Sequence, residues 1–216
     1  MTLHADLYFS FRSPYSYLAL PKWRAVVRDY DLQIDLKPVY PLAIRQPDFF
    51  ERNHPNWLRY TIRDVMRVAT HEGIPFGPPR PDPIVQNIAT REIAAEQPYI
   101  CRLVRTGQVA ARRGKGFEFA DEVAQLVWGG QTDWHLGEHI AGAAERAGLD
   151  MAELDAEAER DAEALDAEVA GNQAKLEDVG HWGVPTLVFN DEPFFGQDRI
   201  DLAVWRMEQA GLERRA

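Results

Sequence analysis

Two serines lie three residues apart where an extended stretch gives way to a helix. Residues 5–11, ADLYFSF, indicate a strand, and Ser13-Pro14 then opens a helical run to about Tyr30. Ser is a favoured N-cap and Pro a favoured first helical residue, so the pair predicts a helix start. The unpaired N–H groups of such a start suit an anion, and the Ser13 hydroxyl could donate to a thiolate or oxyanion. A capping serine without any chemistry explains the same residues.

The spacing of Ser13 and Ser16 is that of a C-x-x-C redox pair, placed after the first strand as in a thioredoxin-like fold. Two hydroxyls form no disulfide, so dithiol redox chemistry is excluded for this pair. Cys101 is the single cysteine of the chain, which excludes an intrachain disulfide, and we expect it to be a small buried side chain. A thiol for chemistry at Ser13 would therefore come from a bound thiol cofactor.

A second signal lies near the other end of the chain, where residues 181–199 are HWGVPTLVFNDEPFFGQDR. Residues 184–190 predict a strand, NDE a tight turn and PFFG a short partner strand. Proline is tolerated at the head of a strand, and we expect the Val184–Pro185 bond to be cis. In thioredoxin-like folds this loop faces the start of the active helix, so it would lie opposite Ser13.

The elements between these motifs determine the fold class. Residues 32–40 predict a second strand, and a Pro-rich connection spans 73–84. We expect further helices over about 86–106, 117–128, 134–147, 151–178 and 198–211. The order β-α-β, helical block, β-β-α predicts an α/β, thioredoxin-like fold with a large all-helical domain inserted between the second and third strands. Residues 1–40 and 180–216 would form the thioredoxin-like domain, and 41–179 the inserted helical domain.

Charge and hydropathy exclude several classes of partner. The formal net charge of −10 argues against nucleic acid, whose phosphates would be repelled. There is no run of 18 apolar residues, so we expect no membrane span. The N-terminal residues do not have the pattern of a signal peptide, and a cytoplasmic location is the expectation that follows.

Histidines offer one short metal motif. HLGEH (135–139) matches the H-x-x-E-H pattern of inverted zinc proteases. It is short, contains a glycine and has no evident third ligand, so we predict a solvated helix face and no metal site. We expect the single histidines His71 and His181 to be structural or solvent-facing.

Tyr60, Asp64 and Arg67 share one face of a predicted helix. In one interpretation Asp64 and Arg67 form a surface pair beside a packed tyrosine. In the other, this face lines a cleft in which Arg67 or Arg63 contacts an anionic substrate. The spacing alone leaves both open.

The sequence resembles the 2-hydroxychromene-2-carboxylate isomerase family, relatives of kappa-class glutathione transferases in the DsbA-like thioredoxin group. The resemblance is carried by LYFSFRSPYSYLAL (7–20) and WGVPTLVFNDEPFFGQDRIDL (182–202), with a further match in RYTIRDVMRVATHEGIPF (59–76). It implies a thioredoxin-like domain with a helical insertion, and glutathione as a cofactor bound in the crevice between the two.

The resemblance also implies roles for residues at the two motifs. Ser13 would donate its hydroxyl hydrogen to the glutathione sulfur and keep it as thiolate, with Pro14 and Tyr15 beside it in the glutathione site. The backbone of Val184, before a cis Pro185, would pair with the cysteinyl part of the tripeptide.

The two ends of the tripeptide would have their own contacts. Asp198 and its neighbour Gln197 would hold the γ-glutamyl end, where a carboxylate meets the ammonium in a charge-assisted hydrogen bond. The family's asparagine in the loop after the second strand would be Asn53, with Asn56 as the alternative. Arg45 would replace the family's lysine there.

The activity that the resemblance implies is a glutathione-dependent isomerisation of a small aromatic conjugated carbonyl compound, with glutathione recycled. Two alternatives stay open, a kappa-like glutathione transferase and a redox-dead thioredoxin-like module that binds a ligand without catalysis. The expected partners are the aromatic substrate and glutathione, with neither nucleic acid nor a membrane. The resemblance also allows a homodimer.

Overall fold

The computed structural model describes residues 2–46, 48, 52–87, 90 and 92–215. The strands are β1 (Leu3–Phe9), β2 (Leu32–Pro38), β3 (Thr186–Phe189) and β4 (Glu192–Phe195). The helices are α1 (Pro14–Asp29), α2 (Leu42–Arg45), α3 (Asn56–Glu72), α4 (Pro98–Arg112), α5 (Gly116–Trp128), α6 (His139–Arg146), α7 (Met151–Arg160), α8 (Ala162–Asp178) and α9 (Ile200–Gln209).

The strands form one sheet in the order β2-β1-β3-β4. β1 runs parallel to β2 and antiparallel to β3, and β4 is antiparallel to β3. In this register Leu7 lies between Leu36 on one side and Leu187 on the other. The predicted order β-α-β, helices, β-β-α is confirmed, and with it the thioredoxin-like fold with a helical insertion between β2 and β3.

Alternation along the strands places the core on both faces of the sheet. Leu32, Ile34 and Leu36 of β2 are buried in the main apolar cluster, as the period of two predicts. A smaller cluster on the other face contains Tyr8 and Val188. Burial of such side chains supplies most of the driving force for this fold.

The β3–β4 hairpin turns through two residues that are not glycine. Asn190 and Asp191 have φ values of 51° and 61°, in the left-handed region that a tight two-residue hairpin turn requires. Asn and Asp tolerate this region better than other residues with a Cβ. The predicted NDE turn is therefore confirmed, and it brings the loop before β3 and the loop after β4 to the same end of the sheet.

Several helix boundaries differ from the prediction. Within 86–97 the described residues are not helical, and α4 begins only at Pro98, which suits a first helical position. The helix predicted over 134–147 begins at His139. The helix predicted over 151–178 is interrupted at Asp161, where α7 ends and α8 begins.

One apolar cluster continues from the sheet into the helices between β2 and β3. It contains Leu7 of β1, Leu18 of α1, Val104 of α4 and Phe119 of α5, each almost fully buried. The division into residues 1–40 with 180–216 and residues 41–179 as two domains stays a prediction.

Candidate functional site

Ser13 caps the start of α1, as predicted. Its backbone is extended, with φ −95° and ψ 115°, and its Oγ accepts a hydrogen bond of 3.2 Å from the N–H of Ser16, while Pro14 occupies the first turn. Ser13 is half-buried, whereas Ser16 is completely buried and its hydroxyl has no partner among the described residues. Of the two serines, only Ser13 can reach a ligand.

The loop before β3 lies opposite this cap. The Oγ of Ser13 is 3.5 Å from the carbonyl oxygen of Val184, and the Val184–Pro185 bond is cis, as expected. The backbone N–H of Val184 donates to no residue in the described part of the chain. The two motifs from opposite ends of the sequence therefore meet, and the N–H of Val184 has no partner among the described residues.

The turn that carries Ser13 is held by residues from the helical insertion. The indole Nε1 of Trp128 donates to the buried carbonyl of Phe11, at 2.9 Å. Arg12 makes a bidentate pair with Asp82, at 3.1 and 2.8 Å. Neither contact was predicted from the sequence, since no local pattern signals them.

Tyr15 links the start of α1 to α3. Its hydroxyl donates to Asp64 Oδ2 at 2.8 Å, and Asp64 Oδ1 accepts from Arg67 at 3.1 Å. Burial, and then the hydrogen bond with Asp64, raises the pKa of Tyr15 well above its usual value, so this phenol stays a donor. The predicted Asp64–Arg67 pair is present, but Tyr60 beside it is 61% exposed and not packed.

Gln197 and Asp198 follow β4 in a tight turn. Gly196 has φ +110°, in the region that favours glycine, and a Cβ there would also lie 2.6 Å from Asp198 Oδ1 and displace this exposed carboxylate. Asp198 is exposed and accepts a 2.8 Å hydrogen bond from Arg199, and Gln197 is half-buried. The charge of Asp198 is the last and smallest of the causes that raise the pKa of Tyr15.

Arg45 ties the segment after β2 to the loop before β3. It donates from Nε to the carbonyl of Tyr40 at 2.5 Å and from Nη2 to the carbonyl of Trp182 at 3.2 Å. Burial lowers its pKa to about 10, so it remains a cation at neutral pH. Asn53 is half-buried three residues before α3 begins, and its contact with a ligand stays a prediction.

The remaining motifs do not assemble at this site. The described residues contain no cluster of His, Cys, Asp and Glu that could hold a metal ion. His135 lies before α6 and packs edge-on against Tyr99 and Trp134, so it does not share a helix face with His139. We expected Cys101 to be buried, but on α4 it is only half-buried. None of the described helices is long and apolar enough to span a membrane.

Comparison with known proteins identifies the fold family. The sequence matches the DSBA-like thioredoxin domain over residues 5–207. A 2-hydroxychromene-2-carboxylate isomerase superposes with a TM-score of 0.68 at 24% identity, covering 96% of each chain. A probable DsbA oxidoreductase from Streptomyces coelicolor superposes with a TM-score of 0.65 at 16% identity, covering 96% of this chain and 89% of its own.

A further similar structure was solved with glutathione. It is the cytosolic disulfide reductase DsbM from Pseudomonas aeruginosa, with a TM-score of 0.59 at 15% identity over 95% of this chain and 100% of its own. At these identities the likenesses establish the fold alone. A search of curated proteins gave no match.

Proposed function

Because the chain belongs to the DsbA-like thioredoxin family but carries serines at the redox positions, we propose that it is a glutathione-dependent isomerase of the 2-hydroxychromene-2-carboxylate type. The substrate would be a small aromatic conjugated carbonyl compound. The observation that carries the proposal is the position of the Ser13 hydroxyl, at a helix N-terminus and 3.5 Å from the Val184 carbonyl. The proposal includes a cytoplasmic location, which the cytosolic disulfide reductase of similar fold supports.

The described residues fit the chemistry of the tripeptide. The free N–H of Val184 is a backbone donor of the kind that an extended peptide needs for pairing. Asp198 is exposed, so its carboxylate could accept a charge-assisted hydrogen bond from the ammonium group of a ligand. Gln197, beside it, has an amide that could complete the contact with the γ-glutamyl end.

The surroundings of Ser13 favour a negative charge. When bound, glutathione would supply a thiolate that adds to the conjugated carbonyl compound, permits rotation about the former double bond and is then expelled. Ser13 would hold that sulfur by donating its hydroxyl hydrogen, and the N-terminus of α1 would add a positive dipole end. The first turn of α1 carries no acidic residue that would repel the charge.

Two other activities are compatible with the same site. A kappa-like glutathione transferase would use the same thiolate and release a thioether, and a redox-dead module would bind without turnover. Dithiol exchange at this site is excluded because Ser13 and Ser16 lack thiols and Cys101 lies on α4. The isomerase is preferred because of the motifs around Ser13 and Val184.

The deciding experiment combines one substrate with a count of thiols. 2-Hydroxychromene-2-carboxylate is incubated with the protein and glutathione, its ring-opened isomer is followed by ultraviolet absorbance, and free glutathione thiol is titrated at equilibrium. We expect conversion that needs glutathione and leaves the thiol count unchanged. S-Methylglutathione, which has no thiol, should not replace it.

Matched variants connect the result to the site. Ser13→Ala should lower the rate, whereas Ser16→Ala should not, because the Ser16 hydroxyl is buried away from ligands. Consumption of thiol would establish the transferase, and retention on immobilised glutathione without turnover would establish the binding module. Conversion at the same rate without glutathione would overturn the proposal.

A further inference from the structure

His181 is packed against the backbone of the loop that faces Ser13. Its Nδ1 accepts a 2.9 Å hydrogen bond from the N–H of Gly183. Its ring is stacked between Trp182, at 4.8 Å and 10° between planes, and Phe195, at 4.1 Å and 28°. The imidazole is thus held in one orientation by two rings and one backbone group.

Gly183 is the point at which this packing reaches the backbone. A Cβ on Gly183 would lie 2.8 Å from Phe195 Cε2 and 3.0 Å from His181 Cε1, so the rings leave no room for a side chain. On its other side, the carbonyl of Gly183 accepts a 2.7 Å hydrogen bond from Thr186 Oγ1. Both polar groups of Gly183 are therefore fixed, one by His181 and one by Thr186.

The next residue, Val184, offers its carbonyl to Ser13 and keeps its N–H free of any described partner. We propose that neutral His181 is a positioning residue, which orients the backbone of Val184 through Gly183, and that protonation of His181 releases this loop. The consequence for a ligand rests on the proposed function, since the free N–H of Val184 is the group offered there to glutathione. The release of the loop itself does not require any ligand.

The hydrogen bond distinguishes the two protonation states. A neutral imidazole has one acceptor nitrogen, and because Nδ1 accepts here, the proton is on Nε2. A protonated imidazole has N–H groups on both nitrogens, and its Nδ1–H would point at the N–H of Gly183. The ring must then turn within its stack or the loop must move.

Burial lowers the pKa of His181, which favours the neutral ring. The charged groups on the neighbouring elements are Glu177 and Asp178 on α8, Asp198 after β4, and Arg45, which binds the Trp182 carbonyl. None of these charges contributes to the shift. A depressed pKa means that the stabilisation is present above the ordinary value of about 6.5 and is lost as pH falls through the value in the folded protein.

Two substitutions of His181 distinguish the role of Nδ1 as a hydrogen-bond acceptor from the role of the ring in stacking. His181→Asn can place an amide oxygen where Nδ1 lies and does not titrate, so it should keep the hydrogen bond at all pH values. His181→Phe keeps a stacking ring but has no acceptor. His71→Asn is the matched control, because His71 is 81% exposed on α3 and remote in sequence from the loop.

The first measurement needs no ligand. The amide of Gly183 is followed by ¹⁵N NMR between pH 7.5 and 5.0, together with the ring protons of His181. We expect the Gly183 amide of the wild type and of His71→Asn to titrate with the His181 ring, and that of His181→Asn to stay constant. A wild-type Gly183 amide that does not follow His181 would overturn the proposal.

The second measurement uses S-methylglutathione, whose sulfur cannot ionise, so that any pH dependence belongs to the protein. Its affinity, measured by calorimetry, should weaken by about two- to tenfold between pH 7.5 and 5.0 for the wild type, the range that the loss of one hydrogen bond gives. His181→Asn should show a flat profile, and His181→Phe should bind weakly throughout. The same fall in His181→Asn as in the wild type would reject the positioning role. Absence of binding at every pH, with a titrating Gly183 amide, would support the release of the loop and count against the glutathione site instead.

Discussion

The hydroxyl oxygen of Ser13 lies 3.5 Å from the carbonyl oxygen of Val184, although 171 positions separate the two residues. Hydroxyl donors in proteins normally approach their acceptors to about 2.5–3.0 Å, so this contact is a weak one. The hydroxyl is held firmly only as an acceptor, by the N–H of Ser16. Its hydrogen can therefore turn to a ligand at little cost while the cap stays in place.

Replacing Ser13 separates its structural role from its chemical one. Ser13→Ala removes the cap and should cost about 0.5–2 kcal/mol of the free energy of unfolding. In the proposed glutathione complex it would also remove a donor to a charged acceptor, worth about 1.5–3 kcal/mol, which corresponds to a rise of about one to two units in the pKa of the bound glutathione thiol. Thiolate absorbance against pH, with glutathione bound, measures this rise.

The control for this measurement is Ser16→Ala, which leaves both the cap oxygen and the ligand-facing hydroxyl in place. Its thiol titration should match that of the wild type. Superimposable titration curves for Ser13→Ala and the wild type would reduce Ser13 to a helix cap.

Local signals in the sequence predicted much of the fold. Ser13-Pro14 identified the start of α1, the period of two identified β2, and the order of elements identified the thioredoxin-like sheet. These local signals did not locate the start of α4 at Pro98. The residues before Pro98 also fit a helix, so the start of this helix depends on tertiary context.

The side-chain contacts around Ser13 were beyond such signals. Trp128 reaches Phe11 across 117 positions, and Arg12 reaches Asp82 across 70. Such pairs depend on how the insertion packs against the sheet, which no periodicity encodes. Tyr15 and Asp64 were each singled out, but their hydrogen bond was visible only when α1 and α3 were placed side by side.

Asp121 on α5 should make the free energy of unfolding depend on pH, independently of the candidate site. It is buried, its Oδ1 has no partner within the described residues, and its ion pair is with Arg24 at 3.2 Å. Burial raises its pKa, so the stability it contributes is greatest at low pH and is lost as pH rises through that raised value. Asp121→Asn should therefore gain stability relative to the wild type between pH 4 and pH 7.5.

Urea unfolding at both pH values tests this dependence. Arg24→Gln is the second arm, and it should destabilise the protein more at pH 7.5 than at pH 4, because it leaves a buried carboxylate uncompensated. Wild-type and Asp121→Asn stabilities that change in parallel with pH would contradict the expected sign.

The hydroxyl of Tyr15 and the carboxylate of Asp64 should be energetically coupled. A double-mutant cycle of Tyr15→Phe and Asp64→Asn should give a coupling energy of about 0.5–3 kcal/mol in the free energy of unfolding. The cycle of Asp64→Asn with Arg67→Gln is the comparison, and it should give less, since Arg67 is 60% exposed and screened by solvent. Additive effects of Tyr15→Phe and Asp64→Asn would show that their 2.8 Å contact does not stabilise the protein.

Two tryptophans offer a matched test of how the insertion positions Ser13. Trp128 Nε1 donates to the carbonyl of Phe11, and Trp134 Nε1 donates to the carbonyl of Pro81, each at 2.9 Å. Either Trp→Phe change leaves a carbonyl without its donor and should cost about 1–3 kcal/mol in urea unfolding. Trp128→Phe removes a direct contact with the turn that carries Ser13, whereas Trp134→Phe acts on Pro81, beside the Asp82 that pairs with Arg12. In the proposed glutathione complex, Trp128→Phe should therefore raise the pKa of the bound thiol more than Trp134→Phe does. Equal thiol titrations in Trp128→Phe and Trp134→Phe would show that the Phe11 contact stabilises the fold without positioning Ser13.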